Sequence, residues 1–217
     1  MKEKIREIFE LQNKLNVDTN GKNWVNGVTK ENRNILWKRC MYMEACEAID
    51  SFPAWKHWKD IHSKPDFNNL YIEVVDILHF LASDIIETKG SVEDAIEKFV
   101  FAYENKPKRN TVASNDEIIN LLEELAKSAI CGKTPTYEFL AVVDAIPNFD
   151  LNDAYLLYIG KNCLNQVRQD NGYKEGTYKK LWDGKEDNVY MQRYTTENPN
   201  TTYQELYDYL TSEYKKA

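Results

Sequence analysis

From Asp66 to about Glu87, Leu70, Val74, Ile77, Leu78, Leu81 and Ile85 recur every three or four positions, the period of an amphipathic helix and not the alternation of a strand. A stripe sustained over about six turns at 3.6 residues per turn needs an apolar surface to lie against, so a chain built around it is a helical assembly. The same period returns in residues 3–16, where Ile5, Ile8, Phe9 and Leu15 predict a helix that NVDTNGKNWVNG ends. Residues 31–50 form a second helical run closed by SFP, and AWKHWKD is read as a short connector to Pro65, ordered by its tryptophans. A shorter helix over 91–104 precedes the charged loop ENKPKRNT. Ser114 and Glu117 then make a capping box before Ile118, Leu121, Leu122, Leu125 and Ala129, with Gly132 placed as a C-cap. Helices are also predicted over 136–146 and 151–170, and after Thr202, whose partner Glu205 repeats the box. GYKEGTYKKLWDGKEDNVYMQRY shows no clear period and is expected to be a long irregular segment. Eight Gly and six Pro in 217 residues fit long helices and not a turn-dense sandwich or barrel. The expectation is one all-α domain over residues 1–217, a multi-helix bundle with a four-helix core.

Acids outnumber bases 35 to 28, a formal charge of −7, the wrong sign for holding a nucleic-acid backbone by general electrostatics. Any phosphate the chain binds needs a local basic device. No apolar stretch approaches the roughly 20 residues that cross a bilayer, and MKEKIREIFE has charges where a signal peptide has its apolar region. A cytoplasmic protein with no membrane partner is expected. Cys40, Cys46, Cys131 and Cys163 have no C-x-x-C spacing and are expected to be reduced core residues. His57, His62 and His79 are too few for a multi-histidine metal centre.

Glu44-x-x-Glu47 and Glu73-x-x-Asp76 each place two carboxylates side by side on a helix face. On a solvated face such pairs are rim charges. Trp37, Cys40, Met41 and Ala48, however, fall within roughly 60° of Glu44 around the helix axis, so Glu44 points out of an apolar arc. Desolvation and mutual repulsion there demand a neutralising cation, and four carboxylates make a hard, all-oxygen site suited to Mg²⁺ or Mn²⁺. Glu44, the most embedded of them, is the candidate general base. His79 and Phe80 follow Asp76 by one turn, as a pocket wall would; a core or capping role for His79 is the alternative. Gln12 sits among Ile5, Ile8, Phe9 and Leu15, with Asn16 one turn on. The two amides read either as a donor and acceptor edge for a planar base or as a pair satisfying a loop backbone.

Lys161, Asn165 and Arg168 share one helix face, followed by Tyr173, Lys174, Lys179 and Lys180, a basic stretch whose donors suit phosphate oxygens. GKT at 132–134 is not a P-loop, because Lys127 stands where that motif has its first glycine.

LQNKLN, TNGKNWVNG, YMEACEAIDSFPAWKHWK, IEVVDILHF and GKNCLNQVRQDNGYKEGTYKKLWDGKEDN, in that order over about residues 10–190, resemble the all-α dimeric dUTPases, metal-dependent dUTP pyrophosphatases related to the MazG-like nucleotide pyrophosphatases. The resemblance implies that Glu44, Glu47, Glu73 and Asp76 hold Mg²⁺, and that Gln12, Asn16, His79, Phe80 and Asn165 build the deoxyuridine pocket. It implies that Lys161, Arg168, Tyr173 and Lys179 hold the phosphates, and that Glu186, Asp187 and Asn188 lie in a segment that closes over the substrate. The implied reaction is hydrolysis of dUTP, and of dUDP, to dUMP by a homodimer. Ala54 is an extra residue in the connector relative to the family pattern, which leaves Trp55 and Trp58 without an assignment. Residues 91–145 carry no family motif and are expected to be a branch-specific helical insertion. Other readings are a related pyrophosphatase of different base specificity and a helical dimerisation module without activity. A di-iron bundle would want Glu-x-x-His twice, and the chain offers only Asp76-x-x-His79.

Overall fold

Helices form where the apolar period runs and stop where a cap or a positive φ intervenes. The computed structural model describes residues 1–58, 64–109 and 111–216; the end of the AWKHWKD connector and His62 lie outside the described residues. Among these, the fold is all-α: α1 (Lys2–Asn20), α2 (Trp37–Asp50), α3 (Phe67–Lys89), α4 (Val92–Asn105), α5 (Asn115–Ile130), α6 (Thr136–Ala145), α7 (Leu151–Asp170), α8 (Asp187–Glu197) and α9 (Tyr203–Lys216). One small antiparallel hairpin joins β1 (Leu181–Trp182) to β2 (Lys185–Glu186).

The predicted caps are present. Asp66 accepts from the Asn69 N–H at the start of α3, and Gly90 ends that helix in the left-handed region at φ 77°. The capping box of α5 is closed in both directions, with Ser114 N–H donating to Glu117 and Glu117 N–H to Ser114 Oγ. Thr202 and Glu205 repeat the exchange before α9.

The chain forms two compact units, Met1–Tyr155 and Leu156–Ala217. In the first, α2 lies against α3 and α5, α1 against α3 and α4, and α5 against α6. The apolar stripe of α3 is wider than its sequence period indicates, because Ile72, Val75, Ala82 and Ile86 are buried along with the stripe residues. A helix enclosed on most sides is apolar on most sides. In the second unit, Trp182 is buried against Tyr190 and Tyr214, and α8 lies against α9.

Several expectations need correction. Helix α1 continues through NVDTN to Asn20 and ends only where Gly21 takes φ 94°, since Asn, Asp and Thr are weak helix formers but do not by themselves break one. The second helix begins at Trp37 and not at 31. Asn32 takes φ 58°, Val28 bridges to Asn34, and the Ile35 N–H donates to the Gly27 carbonyl, so these backbone groups are committed to a loop. The segment expected to be irregular contains the β1–β2 hairpin and α8. Asp183 and Gly184 both have positive φ, 46° and 76°, as a type I′ turn requires, and the Asp-Gly pair was the signal for it. Of the cysteines, Cys163 is buried and Cys40 half-buried, while Cys46 and Cys131 are exposed, so a core role does not hold for the last two.

Gly172 follows α7 at φ +87°, and a Cβ there would collide with the Thr177 hydroxyl, which donates to the Gly172 carbonyl. Gly172→Ala is expected to destabilise the protein by about 1–2 kcal/mol from backbone strain alone, plus the loss of that turn. Gly176, at φ +73° with open space around it, carries only the strain. A thermal melt should therefore show a larger loss for Gly172→Ala than for Gly176→Ala, and equal losses would refute the steric part.

Candidate active site

Helices α2 and α3 bring three of the four singled-out carboxylates together. Ligand oxygens of Glu44, Glu47 and Glu73 all lie within 4.8 Å of one another. Asp76, one turn along α3 from Glu73, acts on the same group: burial first, and then the charges of Asp76, Glu47 and Glu73, push the Glu44 carboxyl up from its ordinary 4.5 to about 8. The three neighbouring charges that raise it are all acids. Burial is graded across the cluster, with Glu73 buried, Glu44 and Asp76 half-buried and Glu47 exposed. The most embedded carboxylate is thus Glu73 and not Glu44, because α3 is enclosed on most sides whereas α2 has an open edge. Glu44 still carries the large shift, since it sits among the other three.

An all-oxygen set of this kind, partly desolvated and mutually repelling, fits a hard divalent cation. The same burial reaches Cys40, whose thiol is pushed up first by desolvation and then by the Glu44 charge.

A buried polar chain links α1 to α3 beside this cluster. Gln12 Oε1 lies 2.7 Å from His79 Nδ1, Gln12 Nε2 donates to Asn16 Oδ1 at 3.1 Å, and Asn16 Nδ2 donates to Ser83 Oγ at 2.9 Å. The Ser83 hydroxyl in turn donates to the His79 carbonyl at 2.8 Å. With the amide oxygen facing the ring, Nδ1 is the protonated nitrogen of His79. The two amides bond to each other and to α3, so each is held in one orientation. Ser83 was missed in the sequence; the available signal was a hydroxyl inside the apolar stripe, one turn after His79. Phe80 stacks on Trp37 with ring centroids 6.2 Å apart, and Trp37 meets Trp24 edge-on.

The second unit holds the basic group. Lys161 and Arg168 are buried, and Tyr173 and Lys179 are exposed. Lys161 Nζ donates to Asn188 Oδ1 at 3.1 Å. The Arg168 guanidinium meets Asp187 through two parallel bonds of 2.8 Å and donates to Asn165 Oδ1 at 3.1 Å. The Tyr178 hydroxyl donates to the same Asp187 carboxylate at 2.9 Å. The Tyr173 ring lies under both Arg168 and Lys180.

Trp55 and Trp58 are exposed and meet edge-to-face. A cavity of about 600 Å³ along α2 is lined by Leu36, Trp37, Arg39, Asp84, Glu87 and Ile130 among others, and none of the four cluster carboxylates lines it. Chemistry favours the carboxylate cluster, where the perturbed acid sits. The Thr134 hydroxyl of GKT donates to Asp84, a structural use of that segment.

Because the Glu44 pKa is raised on folding, the folded protein without metal holds a proton that the unfolded chain releases. That contribution is complete below about 4.5 and is lost as pH rises toward about 8. In chelator, the melting temperature of the wild type is expected to fall relative to Glu44→Gln across this window, and Mg²⁺ is expected to restore it for the wild type only. Parallel profiles for the two proteins would refute the coupling.

A family model described as dUTPase matches residues 4–173. No curated protein matches the sequence.

Proposed function

The chain belongs to the all-α dUTPase family, whose members are dUTP diphosphatases, and we propose that it hydrolyses dUTP, and dUDP as well, to dUMP in a Mg²⁺-dependent reaction. The observation that carries the reading is the carboxylate cluster of α2 and α3, with three ligand oxygens within 4.8 Å. Mg²⁺, or Mn²⁺ in its place, would be held by Glu44, Glu47, Glu73 and Asp76, and when bound it polarises phosphate oxygens and acidifies water.

The chain's own residues do the rest. Glu44 takes a proton from the attacking water; a bound cation would offset the acidic neighbours that raise its pKa and so leave it ionised, as a proton acceptor near neutral pH must be. Lys161, Arg168, Tyr173 and Lys179 offset phosphate charge as it shifts from the attacked phosphorus toward the pyrophosphate leaving group. Gln12, Asn16, His79 and Phe80 of the first unit take the deoxyuridine, a role that the family resemblance extends to Asn165. The bonds among Gln12, Asn16, His79 and Ser83 hold the amides rigid, and a fixed donor and acceptor edge rejects bases of the wrong pattern far better than an apolar pocket could.

The protein acts as a cytoplasmic homodimer that removes dUTP from the nucleotide pool, as a relative of the MazG-like pyrophosphatases. In this reading residues 1–217 are one domain in which 91–145 is a branch-specific insertion.

Purified protein should release dUMP from dUTP with Mg²⁺ and lose that activity in excess chelator, with dCTP, dTTP and UTP turned over far more slowly. Glu44→Gln is expected to lower kcat by about 10²–10⁴-fold, the usual range for a lost general base, with the fold retained by circular dichroism. Activity indifferent to chelator, or a folded Glu44→Gln protein with wild-type kcat, would overturn the mechanism.

A further inference from the structure

Burying an arginine is costly unless its charge is matched, and Arg168 on α7 is matched by Asp187, which the family resemblance places only in a segment that closes over the substrate. Asp187, the first residue of α8, is 1% exposed and takes the Nε and Nη2 edge of the guanidinium through two bonds of 2.8 Å. A third bond, from the Tyr178 hydroxyl at 2.9 Å, and the Asp187 N–H donating to the Lys180 carbonyl at 2.9 Å, fix the carboxylate itself. The next residue repeats the arrangement, since Asn188 Oδ1 accepts from Lys161 Nζ. One corner between β2 and α8 therefore supplies acceptors for both buried cations of the α7 face.

Stability alone is a weak reason for this design. A buried ion pair is often no more stabilising than an apolar pair of the same volume. Its distinctive property is orientation: a bidentate carboxylate on one edge of a planar fork leaves the guanidinium no freedom to rotate. The start of α8 suits the anion, because the helix dipole favours negative charge there.

We propose that Asp187 is a positioning residue for phosphate recognition, setting the plane of Arg168 while Asn188 sets Lys161, so that the substrate phosphates meet donors already oriented. The proposal rests on the reading that Arg168 and Lys161 contact phosphate. Asp187 does not touch substrate; it acts through Arg168. Tyr178 donates to the same carboxylate oxygen that accepts from Arg168 Nε, and losing one neutral hydroxyl is expected to have a smaller effect than losing the Asp187 charge.

The test is a double-mutant cycle on kcat/KM for dUTP, using the full chain with Mg²⁺ and the variants Asp187→Asn, Arg168→Gln and both together. Each single change is expected to lower kcat/KM by on the order of 10–100-fold, as misplacement of a positioned group does. The double variant should be no worse than Arg168→Gln alone, because Asp187 has nothing left to orient. Asp187→Glu should recover part of the loss. If Asp187→Asn does not fold, Tyr178→Phe enters the same cycle, with a smaller loss expected that disappears in the Arg168→Gln background. Losses that multiply in the double variant, or a folded Asp187→Asn protein with wild-type kcat/KM, would overturn the positioning role while leaving the phosphate reading intact. Wild-type kcat/KM in Arg168→Gln would overturn the phosphate reading itself.

Discussion

Three carboxylates with ligand oxygens within 4.8 Å of one another repel, and the packing of α2 on α3 has to hold them there. Like charges at such separations resist approach at any effective dielectric the protein interior offers. The opposing force is apolar: Met41, Ala45 and Ala48 of α2 and Leu70, Val74, Ile77, Leu78 and Leu81 of α3 are buried, and full burial of one large aliphatic side chain contributes about 1.5–3 kcal/mol. The first unit is thus organised so that a large apolar surface outweighs a deliberate electrostatic defect. The defect shows in Glu44, whose carboxyl is pushed up to about 8 by burial and by its acidic neighbours.

Helix α3 carries most of that design. Its burial on nearly every side makes it a rigid rail, and successive turns present Glu73, Asp76, His79 and Ser83. Of these Glu73, His79 and Ser83 are buried, so their rotamers are limited by packing. The chain from His79 through Gln12 and Asn16 back to Ser83 ties α1 to the same rail. A buried network in which each amide has a side-chain partner specifies one arrangement of α1 against α3, a role that apolar contacts, being non-directional, fill less well.

Features whose signal is local were legible in the sequence. The capping box at Ser114, the stop at Gly90 and the anomalies at Glu44 and Gln12 each depend on residues within a turn or two. Three kinds of feature were not. The start of α2 depends on a loop whose pairing partners lie at Gly27 and Val28, so the polar run before Trp37 looks helical until that loop is seen. Helix α8 is short and its few buried residues, Asp187, Tyr190 and Met191, give no apolar period, because aromatic contacts from Trp182 hold it. Arg168 and Lys161 bond to Asp187 and Asn188, 19 and 27 residues later, and spacing on one helix does not report its partners on another element.

The two charged groups differ in a way that bears on how the protein is prepared for its substrate. The cations of the second unit have acceptors within the chain: Arg168 pairs with the Asp187 carboxylate and Lys161 donates to the Asn188 amide oxygen. Their geometry is set by folding alone. The acid at the centre of the first unit's cluster is pushed up by three neighbouring acids, a repulsion that a proton or a cation would relieve. A proton neutralises Glu44 without ordering the other carboxylates, whereas a divalent cation fixes several oxygens in one coordination shell. In the proposed reading, folding sets the basic group in advance, and a bound cation would order the carboxylate cluster that folding leaves self-repelling.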